Sequence, residues 1–531
     1  MAFLDYSVTS YHAVEMLQNT LRQEGFTALS EKKRWTLDKG GSYYVARNDS
    51  SVMVFRLPDC TTDQIRGFHV YAAHSDSPAL KIKEHPEIDR EGVYVSINTE
   101  LYGNMILSTW FDRPLTIAGR VCVEEAGGIV TKTVRLKDNI CLIPSLAIHM
   151  NRNVNKGVAF SPQSDMLPLL TIMDPAQRGG TAKGILHTLL AQTLKTQEIL
   201  SYDLYVENCE KAVLAGVEDE FIMTPRYDDL ACVFAGLKGI LIGKPSQYID
   251  VLAVFDNEEV GSLTRQGADS TFFRDTLENI ADALGVDNRS FRTWTADSMM
   301  LSADNGHACH PNQGGKADPT NRPYLNGGVV LKYHGGQQYA TDAYSAAYVR
   351  KLCRDNGISL QTYANHSDIP GGRTLGNLAM AQVSMAAADI GLPQLAMHSA
   401  YETGGTKDIA ALTRLTALFF GQRSVYRNLF FFCDRSITIF ILMVVLFYLA
   451  CALIIGRISF TEGFDSCDIA KAVTHDHKVY CALRLGHIPS KCFVLIRADG
   501  FSVVEHGIVI FSYTDKTPAG VLLKKRFAVQ T

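Results

Sequence analysis

Twelve cysteines are scattered through 531 residues, yet none stands in a C-x-x-C pair and their spacing follows no framework. That pattern excludes a disulfide-stapled scaffold and favours free thiols in a reducing, intracellular setting. The opening MAFLDYSVTS lacks both a basic n-region and an apolar h-region, so no secretory signal is read there and the expected location is cytoplasmic. Positive charge has no surplus either: 51 Lys and Arg against 55 Asp and Glu leave a net charge of −4. Without a Lys/Arg-rich run carrying interleaved aromatics, no nucleic-acid groove is expected. Internal repeats and low-complexity tracts are absent, and so is a G-x-S-x-G elbow, which argues against a Ser/His/Asp hydrolase.

What is present suits a large globular protein. With 47% hydrophobic and 20% charged residues, the chain can fill two or three domain cores. Ser10 can cap a helix over 10–24 whose apolar stripe is Ala13, Met16, Leu17 and Leu21 and which Gly25 ends. SYYVAR and SVMVF read as a hairpin around 48–50, and GFHVYAA as a buried strand running into His74. From 225 onward helices at 229–240, 272–284, 343–356, 374–389 and 406–419 alternate with strands at 251–255, 359–363 and 393–397. The expected fold is therefore α/β, a central mixed sheet with helices on both faces. The β-rich stretch 87–224, with one helix near 183–196, reads as an insert, which splits the first domain into 1–86 and 225–421.

Four segments place acids or histidines where a buried strand ends and a loop opens: His74 with Asp76, Glu258 with Glu259, Asp304 with His307, and His398. Asp228 opens a helix in RYDDL. Each alone is weak evidence, since a histidine at a strand end is commonly a structural hydrogen-bonding group. Glu258 and Glu259, however, follow the apolar strand VLAVF, and burying two carboxylates there costs several kcal/mol unless cations compensate them. Two histidines and three carboxylates, His74, Asp228, Glu259, Asp304 and His398, can hold two divalent ions with one carboxylate bridging. Zinc suits these nitrogen and oxygen donors, with manganese or cobalt as alternatives. Glu258, beside a ligand, is then the expected general base. Asp76 is the expected acceptor for the second ring N–H of His74.

In this order, HSDSP (74–78), RYDDL (226–230), FDNEEVGS (255–262), SADNGHACHPN (302–312) and PQLAMHS (393–399) closely resemble the aspartyl aminopeptidase family of dizinc metallopeptidases. HAVEML, GGSYYVARN, WFDRPL, IPSLAIHMNR and PQSDMLPLL add to the likeness, which spans about residues 7 to 421. The resemblance implies a phosphopeptidase-like dizinc exopeptidase fold with an inserted dimerisation domain, and assembly into a homo-oligomer, often a dodecamer. It also implies peptide substrates with an acidic N-terminal residue. One ion would sit on His74 and Asp304, the other on Glu259 and His398, with Asp228 bridging. His149 resembles a histidine that the family delivers to a neighbouring subunit's site. Lys332, ending GGVVLK, is the candidate partner of an acidic substrate side chain, whereas His307 and His310 are read as non-ligands. Asp229 departs from the family's usual Asn, Asn305-Gly306 replaces a Met-Ala pair, and the loop after HPN is unusual; no ligand is lost.

Beyond 421 the likeness ends. The uncharged run at 437–456 is long enough to span a bilayer, and Arg423, Arg427 and Arg435 before it would leave the peptidase on the cytoplasmic side. Membrane tethering through an atypical tail over 422–531 is one expectation, and an extension without evolved function is the other. For the main site the rival readings are a dizinc amidohydrolase on acylated amino acids and a catalytically idle scaffold.

Overall fold

The structure, a computed structural model, describes residues 1–173, 183–196 and 198–422, together with the backbone of five strands beyond 467. The chain divides into two units, Met1–Val425 and Tyr426–Thr531.

The first unit opens with two helices, Ala2–Tyr6 (α1) and Ser10–Gln23 (α2). Thr9, rather than Ser10, occupies the N-cap, and its Oγ1 lies 2.8 Å from Nδ1 of His12. Gly25 leaves the helix at φ +83°, a left-handed turn open to glycine without steric cost. Strands Thr27–Leu29 (β1), Ser42–Arg47 (β2), Ser51–Arg56 (β3) and Gly67–His74 (β4) follow. Six more, Ala79–Arg90 (β5), Tyr94–Tyr102 (β6), Leu115–Glu125 (β7), Gly128–Arg135 (β8), Leu169–Ile172 (β9) and Ile199–Asn208 (β10), make a separate sheet in the order β8-β7-β10-β5-β6-β9. That sheet has its own core around Ile97, Ile117, Val121, Leu204 and Val206, to which helix Ile185–Leu194 (α3) adds Leu186 and Leu190.

Val213–Ala215 (β11) and Phe221–Thr224 (β12) then lead into helix Tyr227–Ile242 (α4). The remaining elements are Tyr248–Phe255 (β13), Phe272–Ala283 (α5), Asn288–Ala296 (α6), Met299–Ala303 (β14), Gly306–His307 (β15), Val329–Tyr333 (β16), Ala343–Asp355 (α7), Leu360–Ala364 (β17), Gly376–Gln382 (α8), Ala386–Gly391 (β18), Pro393–Leu395 (β19), Glu402–Gly405 (β20) and Thr406–Phe420 (α9). The main sheet runs β1-β2-β3-β13-β4-β14-β18-β16-β17, with β13, β4, β14 and β18 mutually parallel. A smaller sheet runs β11-β12-β20-β19-β15.

Alternation along the main strands divides the core. Tyr71, Ala73, Leu252, Val254 and Leu301 face α4, α7 and α9, whereas Val70, Ala72, Val251, Ala253 and Phe255 face α5, α6 and α8. Both faces are thus covered, as a parallel sheet requires. The helix expected over 374–389 is corrected: α8 stops at Gln382, and Ala386–Gly391 is strand β18 between β14 and β16. The alanines there suit a helix by propensity, but between two strands their small side chains let the helices pack closely on the sheet, and tertiary pairing prevails.

Beyond 467, Asp468–His475 (β21), Lys478–Arg484 (β22), Phe493–Ile496 (β23), Phe501–Ser502 (β24) and Ile508–Phe511 (β25) form a sheet in the order β21-β22-β23-β25-β24. The membrane span expected at 437–456 lies outside the described residues. Among those described, no helix is long and apolar enough to cross a membrane.

At the end of β18 the backbone of Asp304 passes so close that a Cβ on Gly391 would stand 1.8 Å from its carbonyl oxygen. Gly391→Ala must therefore displace either β18 or the loop carrying Asp304. The expected loss is about 1–3 kcal/mol, read as a lower midpoint in guanidinium unfolding. An unchanged midpoint would show that this close approach is not needed.

Candidate metal centre

The four parallel strands end on one edge of the sheet, where ligands of open α/β sheets gather. Phe255 pairs with His74 across β13 and β4, and Ser302 pairs with Ala72 across β14 and β4. The loop residues Glu258 and Glu259, the strand-end residue His74 and the next residue after β14, Asp304, are thereby brought to one level. Asp228 enters from the first turn of α4, where its backbone and that of Asp229 depart from helical angles. His398 comes from the turn after β19, at φ +66°. Three overlapping groups of donor atoms result: His74 with Asp228, Asp229 and Asp304; His74 with Glu258 and Glu259; and Asp228 with Glu259 and His398.

Within these groups Nε2 of His74 lies 3.7 Å from Oδ1 of Asp228, and Nε2 of His398 lies 3.8 Å from Oδ2 of the same residue and 3.3 Å from Oε1 of Glu259. Oδ1 of Asp228 is buried and accepts no hydrogen bond from the described residues. With one oxygen facing the His74 ring and the other facing the His398 ring, this buried carboxylate fits a cation between it and each imidazole. The donor set of imidazole and carboxylate is the one zinc takes.

The surrounding groups aim these donors. Nδ1 of His74 donates to the carbonyl of Asp76 at 3.0 Å and stands 3.3 Å from its carboxylate, which leaves Nε2 turned to Asp228. Asp76 also accepts the backbone N–H groups of Glu258 and Glu259, each at 3.2 Å, and the hydroxyl of Tyr102 at 2.7 Å. Tyr102 ends β6 of the six-stranded sheet and accepts from Nδ2 of Asn257 at 2.8 Å, so that sheet reaches the acidic loop directly.

Burial sets the charge balance. Desolvation, followed by the neighbouring Asp304, pushes the Asp228 carboxyl up to about 7. Glu258 and Asp229 are likewise raised by burial, with Asp304 adding to the effect on each. Burial opposes charge on His398, yet Glu259 and Asp228 push it up to about 10. Lys332 was expected at the substrate; the side chain is 2% exposed, and its Nζ lies 3.6 Å from Oδ2 of Asp304 and 5.4 Å from the Tyr339 ring centre. Despite burial, Asp304 holds the ammonium above its ordinary range.

His149 lies on an exposed turn and belongs to none of the three groups; His307 and His310 also fall outside them. Asp229, noted in the sequence only as a departure from the family's usual Asn, joins the first donor group. Tyr102 and Glu402 were not singled out in the sequence. For Tyr102 and Glu402 no local pattern distinguishes them from ordinary strand residues.

The pattern of the aminopeptidase I zinc metalloprotease (M18) family matches residues 3–420. A probable M18 family aminopeptidase 2 of Clostridium acetobutylicum is 41% identical over 409 residues, covering 76% of this chain and 94% of that protein. Among solved structures, the cryo-electron microscopy structure of the Ape4 and Nbr1 complex contains a chain that superimposes with a TM-score of 0.75 at 32% identity, covering 79% of this chain and 84% of that one. The mApe1 dodecamer of S. cerevisiae superimposes with a TM-score of 0.68 at 26% identity, covering 79% and 94%.

These charges fix a pH dependence. The folded chain, stripped of metal, keeps a proton on Asp228 up to about 7, against 3.8 ordinarily. It therefore binds more protons than the unfolded chain across this window, and stability falls as pH rises through it. His398 adds the same sign above its ordinary 6.5. Chelator-treated protein should melt at progressively lower temperature from about pH 5 to pH 8, and saturating zinc, which binds the deprotonated donors, should offset that slope. A melting temperature that climbs with pH in chelated protein would refute this charge assignment.

Proposed function

Since the chain belongs to the aminopeptidase I (M18) zinc metalloprotease family and is a metal-dependent aminopeptidase, we propose that it removes acidic N-terminal residues from peptides with two divalent cations. The observation that carries this reading is the convergence of His74, Asp228, Glu258, Glu259, Asp304 and His398 into overlapping donor groups. His74 and Asp304 would hold one ion and Glu259 and His398 the other, with Asp228 available to both. Zinc is the expected ion, with manganese and cobalt as substitutes. When bound, such a pair polarises the scissile carbonyl and lowers the pKa of an attacking water toward about 7.

The chain's own groups do the rest. Glu258 stands half-buried beside ligand Glu259, raised in pKa, and so takes the proton of the water and passes it to the leaving amine. Asp76 keeps the His74 ring in one tautomer. Lys332 supplies positive charge beside Asp304 for the side chain of an acidic N-terminal residue. The inserted sheet is the dimerisation domain, and a homo-oligomer, with a dodecamer as the full assembly, is supported by the dodecameric form of S. cerevisiae mApe1. In that assembly the exposed His149 reaches a neighbour's site and donates to the developing oxyanion.

Hydrolysis of aspartyl, glutamyl and leucyl chromogenic amides should be metal-dependent and fastest for the acidic residues. Glu258→Gln should lower kcat by about 10²–10⁴-fold while metal content by atomic emission stays at two ions per chain. Metal loss with residual turnover would instead make Glu258 a ligand. No metal-dependent release from any amide, with acylated amino acids cleaved, would favour an amidohydrolase.

His149→Ala should cut kcat without altering metal content or the size of the assembly by light scattering. Full activity in that variant would remove the neighbouring subunit from the mechanism.

A further inference from the structure

Glu402 stands at a fork in the small sheet. Its strand, β20, lies between β12 and β19: Thr224 of β12 pairs with Glu402, and Leu395 of β19 pairs with Thr403. The chain beyond β12 turns into Asp228, and the chain beyond β19 turns into His398. A side chain at the start of β20 is therefore placed to reach both turns. Glu402 does so, with one oxygen for each: Oε2 accepts the backbone N–H of Asp228 at 2.9 Å, and Oε1 accepts that of His398 at 2.6 Å. The residue is 2% exposed, so water does not compete for either bond.

Both turns need such a restraint. His398 and Ala396 adopt φ of +66° and +56°, and Arg226, two residues before Asp228, adopts +58°. These left-handed angles are costly for residues with a Cβ and persist where surrounding contacts over-determine them. The acceptor is further fixed by Gln394, whose Nε2 approaches Oε1 of Glu402 at 3.4 Å, while Asn305, next to Asp304, donates to Oε1 of Gln394 at 2.8 Å and to the carbonyl of Tyr227 at 3.0 Å. Ser77 adds a bond from its hydroxyl to the carbonyl of Asp228 at 2.6 Å.

We infer that Glu402 is a positioning residue that clamps the Asp228 and His398 turns together and thereby sets the affinity of the ion shared by Asp228, Glu259 and His398, more than that of the ion on His74 and Asp304. This rests on the two-ion reading above. Only a carboxylate offers an acceptor oxygen to each N–H at once; an amide offers one oxygen and turns N–H groups toward the other.

The test is titration of chelated, full-length protein with Zn²⁺ against a competing chelator, for the wild type and for Glu402→Gln. One of the two Kd values should rise about ten-fold or more in the variant, in the range lost when groups that orient metal ligands are changed, while the other moves less. The metal-free variant should still melt cooperatively, and activity should recover as free zinc is raised. Equal loss at both sites, or two wild-type Kd values, overturns the inference. If Glu402→Gln does not fold, Glu402→Asp serves: its shorter carboxylate reaches one N–H only, and the same split in Kd is expected. A wild type that binds fewer than two ions defeats the two-ion reading itself, an outcome read before any variant is compared.

Discussion

Like charges crowded into a buried pocket govern this protein. Asp76, Asp228, Asp229, Glu258, Glu259 and Asp304 converge on the end of the sheet, and Lys332 is a buried cation beside them. Coulomb repulsion in a poorly screened interior opposes such a set, and desolvation opposes each member separately. The donor geometry makes sense once cations supply the missing charge, because an imidazole nitrogen faces each carboxylate oxygen of Asp228. The fold must therefore be stable enough elsewhere to hold the pocket in place. Two large apolar cores, one on each face of the main sheet, provide that stability.

Holding acids is only half the problem; the turns that carry them must also stay put. Two buried carboxylates act as acceptors for backbone rather than as donors of charge to an ion. Asp76 gathers the N–H groups of Glu258 and Glu259, and Glu402 gathers those of Asp228 and His398. Each carboxylate thus ties two segments that are distant in sequence or adjacent in a strained loop. The inserted sheet joins the same framework through Tyr102, and through Ile106, whose N–H donates to the carbonyl of His398 at 2.9 Å. An element outside the main sheet thereby contributes to the geometry of the centre it borders.

The insert also carries its own exposed apolar side chains, among them Leu146, Ile148 and Met150 around His149. Apolar side chains grouped on a solvent-facing turn suit contact with another protein surface, which is the setting the assembly reading requires. Lys332 shows the opposite trend, a charged group drawn inward because an acid at 3.6 Å compensates its desolvation.

Much of this was legible in the linear sequence for a physical reason. Buried parallel strands appear as short apolar runs, and the polar residues that follow them, His74, Glu258, Glu259, Asp304 and His398, stand out by contrast with VLAVF or GFHVYAA. The local signals for α2, the hairpin of β2 and β3, and α5, α7 and α9 are likewise short-range, since helix and turn chemistry acts within a few residues. Tertiary structure decided what depends on neighbours far along the chain. The alanines of 386–388 became strand because β14 and β16 flank them, which no local propensity records. Lys332 was buried by Asp304 and Tyr339, and Tyr102 and Glu402 acquired their partners only when separate sheets met. Sequence alone determined which side chains are candidates for the chemistry, because side-chain type is local; the fold decided which of them come within reach of one another, because distance in space is not distance along the chain.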